Sequence, residues 1–162
     1  INSTWMRMMN TYRRDLATSL PRQKLLNLRF DPTIAREMLY HPTRETEVFL
    51  RGRGHKVTPG RLYLGHFLGP GDANRILRTP GGVPLASVLS SGVMNANPFL
   101  RGWSVQKIQN WAERKMAGRK NWRPSVGAAP VTTKRTIQRV SPEFVKYKSV
   151  ISAMVKTSEG VL

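Results

Sequence analysis

Proline limits what this chain can build. Eleven prolines are spread over 162 residues, and several follow directly on a side chain that caps helices, among them Asp31-Pro32, Thr58-Pro59 and Ser141-Pro142. In each pair the first residue can accept a hydrogen bond from the opening turn. The proline then takes the first helical position, where its missing N–H removes no bond. A chain punctuated this way makes short helices separated by sharp joints.

The apolar residues agree. Trp5, Met8, Met9, Tyr12 and Leu16 recur at three- and four-residue steps, with Ser3 as the expected cap. Ile34, Met38 and Leu39 follow Asp31-Pro32, and His41-Pro42 is expected to stop that helix. Thr43 then opens a short helix with Val48 and Leu50 inward, ending at Arg51-Gly52-Arg53-Gly54. Leu62, Tyr63, Leu64, Phe67 and Leu68 form a compact apolar helix closed by Gly69-Pro70-Gly71, with a second helix over Asp72–Leu77. Pro84 starts a turn through Val88 and Leu89, and a loop marked by Asn, Gly and Pro runs on to Pro98. Ser104 caps a helix with Val105, Ile108, Trp111, Ala112 and Met116 inward and Gly118 beyond its end. No strand pair with hairpin chemistry is visible. The expected class is all-α, with many short helices. Residues 1–117 form its body, 118–140 read as a linker, and 141–162 as a short helix and basic tail, the helix spanning 141–155.

Charge narrows the partners. Lys plus Arg number 27 against 9 Asp plus Glu, a net charge of +18. Residues 1–117 hold 18 basic and 7 acidic residues, and the remaining 45 hold 9 and 2, so the tail is the denser in charge. A surplus this large favours polyanions. Nine scattered carboxylates exclude a calcium loop, and the absence of cysteine excludes disulfide scaffolds, thiolate zinc sites and cysteine nucleophiles. No apolar run approaches the ~20 residues needed to span a bilayer. The chain begins at Ile1 without a signal-peptide pattern, which suggests a piece of a longer polypeptide.

Catalytic chemistry is sparse. His41, His55 and His66 are the three histidines, and no two of them lie three or four residues apart, so no metal is expected. No Gly-x-Ser-x-Gly elbow or phosphate loop occurs. Glu37, Glu45, Glu47 and Glu113 are each general acids in principle, but all four read as solvated surface, with none in an apolar setting that raises its pKa.

Two segments resemble a known family. Ile1-Asn2-Ser3-Thr4-Trp5-Met6 is similar to the Ser/Thr-Trp helix that follows a Gly-x-x-Gln-Phe stretch in lysozyme-like lytic transglycosylases. Thr58-Pro59-Gly60-Arg61-Leu62-Tyr63-Leu64-Gly65-His66-Phe67-Leu68-Gly69 resembles the T-P-G-x-L-Y-L-x-H-F-L-G signature of transglycosylase-type proteins from bacteria and their phages. Asp31-Pro32, Ala96-Asn97-Pro98, Trp111 and Lys115-Met116 fit the same pattern in order, over residues 1–117.

The resemblance implies a lysozyme-like bundle that cleaves the β-1,4 bond between N-acetylmuramic acid and N-acetylglucosamine without water, using one Glu as acid then base and no cofactor or metal. That Glu would precede Ile1, so no catalytic residue is assigned here. Gly65–Gly71 aligns with the family's Ala-Tyr-Asn-x-Gly-x-Gly strip, which makes Tyr63, His66, Phe67, Gly69 and Gly71 the candidate substrate-binding residues. His66 stands where the family has Tyr, and Phe67 where it has Asn; Phe cannot replace an amide. The implied setting is a phage internal or ejected virion protein that opens peptidoglycan during genome delivery and acts in the host periplasm. Its implied partners are glycan strands, packaged DNA through phosphate contacts, other virion proteins and copies of itself. The alternatives are a non-catalytic structural or DNA-contacting virion protein, and a host periplasmic wall-remodelling enzyme.

Overall fold

The structure is a computed structural model and describes residues 2–118. The expected linker and C-terminal helix and tail therefore lie outside the described residues, apart from Gly118. Within them the chain is all-α: eight α-helices with three short 3-10 turns between them, no strand and a single isolated bridge between Pro84 and Ser104.

Helix α1 (Asn2–Tyr12) already contains Ser3, so that serine is not a cap. Two short helices, α2 (Arg14–Ser19) and α3 (Arg22–Asn27), fold back beside it. Helix α4 (Pro32–Arg51) starts as expected, with the Asp31 carboxylate accepting from the Thr33 and Ile34 amides at 2.8 and 3.1 Å. It does not stop at Pro42. The helix runs straight through, and Thr43 is an interior residue whose hydroxyl donates to the Leu39 carbonyl at 2.6 Å. A proline in an isolated helix interior costs about 3 kcal/mol, and packing on both sides outweighs that cost. The first half of α4 gives Met38 to a small core with Met8, Met9 and Leu25. The second half gives Leu50 to the main core. Each large apolar side chain so buried contributes about 1.5–3 kcal/mol. Val48, expected inward, is 58% exposed.

Helix α5 (Pro59–Leu68) lies across the second half of α4. Gly65 sets their separation, because a Cβ there would collide with the Thr46 methyl. Helix α6 (Pro70–Arg78) starts two residues earlier than expected, directly at Gly69, whose φ of +88° turns the chain between the two helices. The Asn- and Gly-marked stretch expected as loop contains a further short helix, α7 (Ser91–Ala96), capped by Ser90.

The last helix, α8 (Val105–Lys115), packs along α5. Its opening amides are all accounted for. The Val105 N–H donates to Val83, that of Gln106 to Gly81 and that of Lys107 to the Ser104 hydroxyl, at 2.9, 2.8 and 3.3 Å. A return bond from the Leu85 N–H to the Trp103 carbonyl, 2.8 Å, fixes the approach to the helix.

Candidate functional site

The Thr58–Gly69 signature folds as one capped helix. The Thr58 hydroxyl accepts from the Arg61 amide at 3.2 Å, and Pro59 takes the first turn. Leu62 and Leu64 are fully buried. The five candidate binding residues separate into two groups. Tyr63 belongs to the core at 6% exposure, with its ring 6.3 Å from Phe67 and 5.3 Å from Trp111. Its aromatic body is used in packing, so it is not a groove residue. Phe67 is half-buried, while His66 and Gly71 are exposed on the α5–α6 turn. Cβ atoms built at Gly69 and Gly71 meet nothing within 4 Å, so the backbone of this turn is open to a ligand.

Three aromatic residues absent from that candidate set complete the surface around Phe67. Phe99 lies 6.1 Å from it and Trp111 5.2 Å, and Trp103 packs against both of these at 5.6 and 5.9 Å. They come from three separate segments, so the motif alone could not reveal them.

On the other flank of α8 lies a cleft of about 330 Å³, floored by Leu64. Its walls carry Lys56 and Arg61 from the α5 side and Gln106, Gln109, Asn110 and Glu113 from α8. Glu113 accepts the Thr58 hydroxyl, and its carboxylate stands where a Cβ on Gly60 would go. The cleft therefore offers amide donors and acceptors, a carboxylate and two cations over an apolar floor. Polar groups of this mixture recognise hydroxyl- and acetamide-bearing ligands, whose groups both donate and accept. The sequence signal was present in the polar residues at three- and four-residue steps along α8.

The carboxylates of α4 correct the sequence reading. Glu37 is 8% exposed and Glu47 1% exposed. Glu47 pairs with Arg51 one turn on, at 2.5 Å. Glu37 is held by Arg13 at 3.0 Å, and burial outweighs that cation, raising the carboxyl above its ordinary pKa. Arg13 also grips Asp15 at 2.8 Å, which lowers the Asp15 pKa. Glu45 takes Arg7 at 3.0 Å and the Tyr12 hydroxyl at 2.8 Å. The Tyr12 phenol is pushed up to about 12, by burial first and then by that hydrogen bond. Its ring stacks on His41 with centroids 3.6 Å apart, and burial holds His41 down at about 4. These groups bind α1 and α2 to α4. Glu37 has the desolvation that a general acid uses, but its oxygen is committed to Arg13. Glu113 remains exposed, as expected.

No group of three or more metal-ligating side chains occurs among the described residues, and no helix among them is long and apolar enough to cross a membrane. No family model, curated protein or solved structure matches the chain.

Proposed function

We propose that the chain is part of a peptidoglycan lytic transglycosylase, carried by a phage particle protein that opens the cell wall locally during genome delivery. The observation that carries this reading is the Thr58–Gly69 helix. Its sequence resembles the T-P-G-x-L-Y-L-x-H-F-L-G signature, and its last turn presents His66 beside the half-buried ring of Phe67, with the open glycines Gly69 and Gly71 where the chain passes into α6. The polar cleft at the other end of the helix supports the reading, since it has the mixed donors and acceptors that amino sugars require. In this reading the chain supplies glycan-holding surface, and the acid that protonates the glycosidic oxygen is none of the α4 carboxylates, which are tied to arginines.

The test is digestion of purified peptidoglycan, with mass analysis of the released fragments. A polypeptide that joins this chain to the sequence encoded ahead of it is expected to release anhydro-muropeptides, and the 162-residue chain alone none. Release by the chain alone would return the acid to its own carboxylates, Glu37 first. Absence of release from either would leave a non-catalytic particle protein.

A further inference from the structure

Along α8 the sequence alternates aromatic and cationic residues at every fourth position: Trp103, Lys107, Trp111, Lys115. Four residues make little more than one turn, so Lys107, Trp111 and Lys115 share a face. Trp103 sits just ahead of the cap Ser104 and continues it. The Lys107 ammonium lies 4.9 Å from the centre of the Trp103 ring, and that of Lys115 5.8 Å from Trp111. Phe99, 47% exposed, stands 5.6 Å from Trp103 and 5.8 Å from Trp111. Arg114, seven residues after Lys107, is exposed on the same side. None of these three cations makes an ion pair among the described residues. The single carboxylate of α8, Glu113, is turned to Thr58 on the cleft flank.

We propose that this face binds single-stranded nucleic acid, with bases against the rings of Phe99, Trp103 and Trp111 and phosphates on Lys107, Arg114 and Lys115. Aromatic platforms interleaved with cations hold single strands because every base has a π-face and every linkage a negative charge. A sugar fits less well, since its hydroxyls need acceptors as well as donors, and the side chains of this face only donate. A lipid surface also fits less well. The tryptophans are half-buried among their neighbours, so they offer stacking area rather than a protruding wedge. A duplex would use the cations and leave the rings idle. The inference does not depend on the transglycosylase reading.

The experiment is fluorescence anisotropy with the full 162-residue chain and a labelled oligothymidylate of about ten nucleotides, within the usual site size of such surfaces. Lys107→Gln combined with Lys115→Gln changes only exposed side chains, and circular dichroism checks that the fold is kept. That variant is expected to weaken binding and to lower the slope of log affinity against log salt by about 1.4. Phe99→Ala is expected to weaken binding about tenfold. With Trp5 and Trp122 changed to Phe, the oligonucleotide quenches the two remaining tryptophans, Trp103 and Trp111. Unchanged binding in these variants, or equal affinity for a duplex of the same length, would overturn the proposal. So would quenching by an N-acetylglucosamine tetramer or by phosphatidylglycerol vesicles where the oligonucleotide causes none.

Discussion

Substituting Gly65 with alanine tests how α5 is positioned. The new Cβ would fall on the Thr46 methyl, a buried group on α4 at 3% exposure, which is enclosed and cannot swing aside as a surface side chain would. Overpacking a filled core costs about 1–3 kcal/mol, and alanine recovers up to about 1 kcal/mol of helix propensity over glycine. A net destabilisation of about 1–2 kcal/mol is expected. Thr46→Ser removes the offending methyl and keeps the hydroxyl. Alone it should cost about 1 kcal/mol for the lost buried group. Combined with Gly65→Ala, the methyl lost at one position is replaced by the one gained at the other. The double variant should then lie near the wild type, with a coupling of at least about 1 kcal/mol relieving the two single losses. Urea denaturation followed by far-UV circular dichroism on all four proteins reads this directly, as midpoint shifts at constant slope. A Gly65→Ala protein as stable as the wild type, or losses that simply add, would refute the close approach of α4 and α5.

The neighbouring glycine should behave differently. Gly60→Ala meets only the end of the Glu113 side chain, which can rotate into solvent, so its cost should stay below about 1 kcal/mol by the same denaturation. The His41 ring should titrate near pH 4 by NMR. A depressed histidine pKa means that the unfolded chain binds the proton more readily, so stability falls as pH drops from about 6.5 towards 4, by on the order of 2 kcal/mol for a partly exposed ring. His41→Phe, which keeps a ring on Tyr12, should flatten that slope. Glu37 acts in the opposite sense. Its raised pKa favours the folded state at low pH, and stability is lost as pH rises through the folded value, so Glu37→Gln should remove that decline in thermal melts. Pro42→Ala should retain the fold and raise the melting temperature, because a helix that already runs through the proline gains a backbone donor.

What was legible in the sequence was local chemistry. Asp31, Thr58 and Ser104 cap helices as their side chains dictate, and Gly69 makes the turn that its φ requires. The stop expected at Pro42 was the same kind of reasoning, and it failed because non-local packing on two cores outweighs one missing bond. The carboxylates failed for a related reason. Glu37 and Glu45 read as surface because their partners stand far off in the chain, Arg13 at 24 residues and Arg7 at 38. Glu37 and Glu45 meet those cations only once α4 is packed against the chain's first turns, and periodicity carries no record of which arginine will arrive. Tyr63 shows the converse. The motif placed it near the groove, but an apolar ring at that helical position is worth more in the core.

The polar cleft and the aromatic face share one support. Both flank the α5–α8 pair, and α5 is seated by Gly65 against Thr46 on one side and by Gly60 under Glu113 on the other. A change at Gly65 therefore moves both surfaces together, whereas a change at Lys107 or Lys115 leaves the support untouched and alters one surface alone. The two kinds of variant separate position from chemistry. If Gly65→Ala impairs ligand binding at either flank, Thr46→Ser should restore it along with stability, because the damage lies in where the helix sits. A lysine variant should lose nucleic-acid binding at unchanged stability and gain nothing from Thr46→Ser. Rescue of both by the same second substitution would mean that the α8 lysines act through packing, a role their exposure in the fold does not support.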